Sequence, residues 1–193
     1  MTRVLIGTRL TPNMVTSAAL VCGILAAHFY LNSNYLLGAV FLFASGLLDL
    51  IDGDIAAKKN CCTKFGAVYD WIADKLVDGF VIGAIGIAYA TPVIAVVAIT
   101  MSLVNTFIKP VTYSEIGYAS RSEGKIDSPL ESVGMFGRPE TIMTILVFSV
   151  LHPANMLGRI NLSVVPYIIA LFTTISLCQR LWYLYKHYNV EDN

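Results

Sequence analysis

Four aspartates stand where a chain of this kind tolerates charge least. Asp49 and Asp52 close one long apolar run, Asp70 and Asp74 open the next, and a polar segment from Asp54 to Lys64 joins them. A charge inside a bilayer costs about 2.5–3.5 kcal/mol per residue on insertion scales, so acids at this depth need a partner that neutralises them. Spacings of i, i+3 and i, i+4 place each pair on one face of a helix, roughly 4.5–6 Å apart along its axis. Two such helices can converge on hard divalent cations, which take oxygen ligands.

The apolar runs set the class. With 56% hydrophobic and 13% charged residues and a mean hydropathy of +0.67, against a charged share of about 25% in soluble domains, the chain reads as an all-α integral membrane bundle. A single membrane domain over residues 1–193 is expected. Six transmembrane helices are expected at about 14–31, 35–52, 66–90, 93–113, 139–152 and 162–184. The fifth is short against the ~20 residues a span needs, and its start is expected to reach back to Met135. Thr11-Pro12-Asn13 suits a helix start, Thr as cap and Pro in the first turn. Met1 to Leu10, with Arg3 and Arg9, reads as a short interfacial helix.

Zero net charge and the lack of a basic run leave no electrostatic footprint for nucleic acid. Cys22, Cys61, Cys62 and Cys178 show no C-x-x-C spacing and read as free thiols. Of the basic residues, Arg159 alone falls on one side of a six-span layout. Arg3, Arg9, Lys58, Lys59, Lys64, Arg121, Lys125, Arg138, Arg180 and Lys186 fall on the other, which the positive-inside rule makes cytoplasmic. The acids then lie at the cytoplasmic mouth of the bundle, open to soluble substrates and, sideways, to membrane lipid.

Asp49-x-x-Asp52-Gly53-x-x-Ala56, an eight-residue gap after Ala57, and Gly66-x-x-x-Asp70-x-x-x-Asp74 resemble the signature of the CDP-alcohol phosphatidyltransferases. The six-span layout and the opening Thr11-Pro12-Asn13 are similar to that family as well, so the likeness covers nearly the whole chain. One position departs: the family has Arg where this chain has Ala57, and Lys58 or Lys59 offers only a point charge in place of a bidentate fork. The resemblance implies transfer of a phospholipid headgroup, with an acceptor hydroxyl attacking a CDP-linked lipid and CMP leaving. It implies two divalent ions, Mg²⁺ or in substitution Mn²⁺, held by Asp49, Asp52, Asp70 and Asp74, with Asp74 also the general base. Asp52, Gly53, Ala56, Lys58 and Gly66 would line the nucleotide, and the enzyme would be a homodimer in the membrane.

Asp78 continues the acidic face one turn deeper, and pairing with Lys75 or Lys109 competes with contact to the acceptor or to the surroundings of the metals. An Asp at this offset, Arg121-Ser-Glu123 and Arg138-Pro139-Glu140 are similar to the branch of the family that uses inositol phosphate. Lys109, Arg121 and Arg138 are then the cations for the acceptor phosphate, although surface basic residues more often only set topology. Phe136-Gly137-x-Pro139 is faintly like the serine branch, so serine and glycerol phosphate stay open as acceptors. Blander readings hold elsewhere: helix packing for Gly38, Gly46, Gly83 and Gly86, a solvated end for Asp54, and interfacial aromatics for Tyr69, Trp71, Trp182, Tyr183 and Tyr185. An intramembrane-acid cation transporter is the reading from another class; it should carry polar groups along several spans rather than one cluster. A family member that binds nucleotide without turnover is the third.

Overall fold

The computed structural model describes residues 11–58, 63–116, 121–122, 125–126, 130, 133–152 and 161–189, the backbone alone at 54–58 and in the two short strands. The expected interfacial helix at Met1–Leu10, together with Lys59, Cys61, Cys62 and Glu123, lies outside the described residues. Among the described residues six α-helices follow one another: α1 Pro12–Leu31, α2 Tyr35–Lys58, α3 Lys64–Tyr89, α4 Pro92–Glu115, α5 Arg138–Leu151 and α6 Val165–Tyr188. A 3-10 turn, Leu162–Val164, leads into α6. In the long polar stretch after α4, β1 Arg121–Ser122 and β2 Lys125–Ile126 form a two-residue antiparallel ladder.

The helix starts are chemically marked. Thr11, Thr63 and Thr91 are the N-caps of α1, α3 and α4, each hydroxyl accepting from the backbone N–H three residues on. Pro12 and Pro92 fill first-turn positions where a missing N–H costs nothing. The start of α5 corrects the sequence expectation: the helix begins at Arg138 and does not reach back to Met135. Gly134 has φ +101°, a left-handed conformation that ends any helix running through it, and Gly137 is extended.

Among the described residues four elements are long and apolar enough to cross a membrane: Pro12–Leu31, Tyr35–Gly53, Pro92–Glu115 and Leu162–Tyr188. The 26-residue α3 carries Asp70, Asp74, Lys75 and Asp78, and α5 has only 14 residues. The chain is a multi-pass membrane protein, and the regular structure of its described residues is helical apart from the short ladder.

Helix α1 packs on both α2 and α3, α3 on α4, α4 on α6, and α2 on α5. The shared core holds Tyr30, Leu42, Ile82, Ile85, Ile145 and Ile169, and the Tyr30 hydroxyl joins α1 to α5 through Ser149 at 2.8 Å. Close approach of α1 and α3 depends on Gly23, where an added Cβ would lie 2.3 Å from a methyl of Val77. Outward faces stay apolar, as at Val40, Leu50, Val93 and Leu171. Some buried hydroxyls are satisfied within their own helix, Thr112 on Ile108 O at 2.7 Å and Thr173 on Ile169 O at 2.6 Å, and others across helices, as Ser45 on Ala19 O at 2.8 Å.

Candidate active site

The packing of α2 and α3 around α1 brings the two halves of the acidic motif together. Asp49, near the end of α2, and Asp70 and Asp74, one turn apart on α3, each offer a carboxylate oxygen within 4.8 Å of the others. One oxygen of Asp70 is buried and has no hydrogen-bond partner among the described residues. A buried acceptor without a donor costs about 1–3 kcal/mol, and a hard cation, which takes carboxylate oxygens, would satisfy it. The donor set therefore fits a divalent metal, with Asp49, Asp70 and Asp74 to hold it.

Asp52 stands apart from this group. It is buried on the α1 side of α2, where the Thr16 hydroxyl donates to it at 2.6 Å in preference to its own-helix carbonyl at Pro12, 3.2 Å away.

Arg138, the first residue of α5, enters the acid group from the opposite side. Its guanidinium reaches Asp49 at 2.6 Å and Asp74 at 2.7 Å through its two terminal nitrogens, and Asp78 at 3.4 Å through Nε. Only arginine presents donors in a planar fork able to serve three carboxylates at once. Asp78 is buried and also takes Lys75 at 2.9 Å, so of the two sequence readings the ion pair with Lys75 is present. Glu140 accepts from the Gly137 N–H at 2.8 Å, and Thr141 donates to the Gly137 carbonyl at 2.9 Å. These two contacts fix the turn that Arg138 leaves.

The motif glycines differ. A Cβ at Gly53 would meet nothing within 4 Å among the described residues. A Cβ at Gly66 would come within 3.0 Å of the capping Thr63 oxygen and 3.1 Å of Asn13. Ala56, Ala57 and Lys58 lie in the last turn of α2 and Arg121 in β1, all known by their backbone. Lys109 lies on α4, one turn beyond Asn105.

Comparison with known proteins decides the family. A profile of the CDP-alcohol phosphatidyltransferases matches residues 9–176. The chain belongs to that family. The archaetidylinositol phosphate synthase of Pyrococcus horikoshii is 25% identical over 173 residues, 90% of this chain and 82% of that protein. The CDP-diacylglycerol–glycerol-3-phosphate 3-phosphatidyltransferase of Rickettsia felis is 40% identical over a shorter stretch of 74 residues, 37% of this chain and 41% of that protein. The crystal structure of Mycobacterium tuberculosis phosphatidylinositol phosphate synthase with CDP-DAG bound shares the fold, with a TM-score of 0.76 at 23% identity over 100% of this chain and 95% of that one. Another structure of that synthase is a complex with manganese and citrate.

The transferase is thus an enzyme of phospholipid headgroup transfer, in which an acceptor hydroxyl displaces CMP from a CDP-linked lipid. Two buried polar residues that the sequence analysis does not single out lie against the connection that leads into Arg138. Arg180, buried in α6, donates from Nε to Val133 O at 3.0 Å and from Nη1 to both the backbone and the side-chain oxygen of Asn105. Asn105, buried in α4, donates in turn to Phe136 O at 3.0 Å. The sequence signal was present. Arg180 interrupts an apolar helix, and an ionisable residue inside a span is a functional candidate by default, although its place near the end of the last span also suits a topology determinant.

Proposed function

We propose that this transferase moves the phospholipid moiety of a CDP-linked lipid onto the hydroxyl of an inositol phosphate, at the cytoplasmic face of the membrane. The observation that carries the acceptor is Arg138. Its guanidinium lies within 2.7 Å of Asp74, so a cation stands beside the candidate base, where an anionic acceptor would gain most from it. The near full-length likeness to an archaetidylinositol phosphate synthase supports the same choice. Relatives named for glycerol phosphate match over little more than a third of the chain.

In this reading Asp49, Asp70 and Asp74 hold two Mg²⁺ ions, or Mn²⁺, and Asp52 completes the set at the nucleotide side. When bound, the ions supply neutralisation of the pyrophosphate and of the charge that develops as CMP leaves. Asp74 takes the proton of the acceptor hydroxyl as its oxygen bonds to the lipid-side phosphorus and the bond from that phosphorus to CMP breaks. Gly53, Ala56 and Gly66 let the nucleotide approach the backbone, and Lys58 contributes charge. Arg138, Lys109 and Arg121 receive the acceptor phosphate. Asp78 serves the acceptor indirectly, holding Arg138 and Lys75 in place. Helices α3 and α5 complete six spans, residues 1–193 act as one catalytic domain, and two copies associate in the membrane.

The test is CMP release from a CDP-linked lipid with Mg²⁺ and equal concentrations of inositol phosphate, glycerol phosphate, serine or inositol. Inositol phosphate is expected to be consumed fastest. A charge-assisted contact contributes about 1.5–3 kcal/mol, so Arg138→Ala should raise the acceptor KM by about ten- to a hundredfold. Faster use of serine or glycerol phosphate would overturn the acceptor and leave the family membership untouched.

A further inference from the structure

Arg138 can reach three carboxylates only if the chain just before it is held still, and the structure contains a device for that. Residues 133–137 are not helical, and Gly134 takes φ +101° because its Cα lies against α6: an added Cβ would fall 2.5 Å from Ser176 Oγ and 2.8 Å from Arg180 Nε. Gly137 is bonded to the start of α5, and, among the described residues, 133–136 are tied to α4 and α6 by three hydrogen bonds. Val133 O accepts from Arg180, the Met135 N–H donates to Gln179 Oε1 at 3.1 Å, and Phe136 O accepts from Asn105. Asn105 is the member that touches both sides. Its side-chain oxygen accepts from Arg180 at 2.9 Å while its amide nitrogen donates to Phe136 O at 3.0 Å, and it is 2% exposed.

We infer that Asn105 is a positioning residue of the transferase: it locks Arg180 and the 133–137 connection into one hydrogen-bonded block, from which Arg138 is aimed into the acid group. Both of its side-chain functions are used, and no apolar residue could replace either. Because Asn105 touches none of the reacting groups itself, its effect on turnover passes through Arg138. The inference rests on the role given to Arg138 above, and the experiment separates the two.

The experiment is a double-substitution cycle, with CMP release measured against acceptor concentration for Asn105→Ala, Arg138→Ala and the pair. Removing a buried hydrogen-bond partner is worth about a five- to fiftyfold change, and this is expected in the acceptor KM of Asn105→Ala, with metal-dependent donor binding unchanged. In the Arg138→Ala background Asn105→Ala should add almost nothing, since residues that act through one another are not additive. Asn105→Asp keeps the oxygen facing Arg180 and loses the donor to Phe136 O, so it should show the same KM defect in a protein that still folds. A merely structural role would lower the active fraction, and hence the apparent kcat, without moving KM. Additive effects in the cycle would overturn the inference, as would an unmoved acceptor KM in both Asn105 variants where Arg138→Ala raises it. If Arg138→Ala itself acts on kcat rather than on acceptor KM, the acceptor reading fails, and the inference then stands or falls on whether Asn105→Ala adds to Arg138→Ala in kcat per folded, active enzyme.

Discussion

Asp74 belongs to the three-carboxylate group and also holds Arg138 at 2.7 Å, so its replacement separates proton transfer from metal holding. Asp74→Asn keeps the shape and an oxygen while removing the base. Transfer should fall by about 10²–10⁴-fold, with donor binding by calorimetry largely kept because Asp49 and Asp70 remain. Wild-type-like CMP release in this variant would exclude Asp74 as the base. Asp70→Ala removes the carboxylate whose buried oxygen lacks a donor, and both turnover and metal-dependent donor binding should be lost. Undiminished metal-dependent binding there would mean that the acids do not hold the ion. At this scale the sequence was informative about residue type and spacing, and silent about partners. That Asp52 would turn to Thr16 on α1 could not be read from the motif, because Asp49 and Asp52 share one face of α2 and only the position of a neighbouring helix divides their work.

Among the elements, the α1–α3 contact carries the acid geometry, since α3 bears Asp70 and Asp74 and meets α1 at Gly23 and Val77. Gly23→Ala places a carbon where 2.3 Å is available. Overpacking of this kind costs about 1–3 kcal/mol, so the thermal midpoint in detergent should fall and turnover with it. Val77→Ala in the same protein should restore both. A midpoint unchanged by Gly23→Ala would show that the helices can move apart freely. The starts of α1, α3 and α4 could be anticipated from a Thr cap with or without Pro behind it, because those signals are local. The late start of α5 could not: Gly134 is left-handed because α6 fills the space where a side chain would sit, and nothing within 133–137 announces that neighbour.

For the whole molecule, the expectation with most reach is its orientation. With the four native cysteines replaced by Ser, Lys64→Cys beside the acid motif should react with a membrane-impermeant maleimide only when the cytoplasmic face is open. Asn34→Cys, in the turn between α1 and α2, should react only from the other side. Reaction of both from the same face would contradict the six-span layout and the cytoplasmic site together.

The sequence by itself determined the class, the positions of the long apolar helices, the acidic motif and its family. Each rests on composition or on spacing along one helix, which local geometry converts directly into a face. The tertiary structure alone decided which acids meet, that Arg138 enters among Asp49, Asp74 and Asp78, and that Arg180 and Asn105 hold the connection leading to it. The physical reason lies in the spans. A membrane helix is apolar on nearly every side, so hydropathy cannot say which face turns inward. That rotation is set by small-residue contacts such as Gly23 on Val77 and by the few buried polar groups that must find each other where no water can serve them.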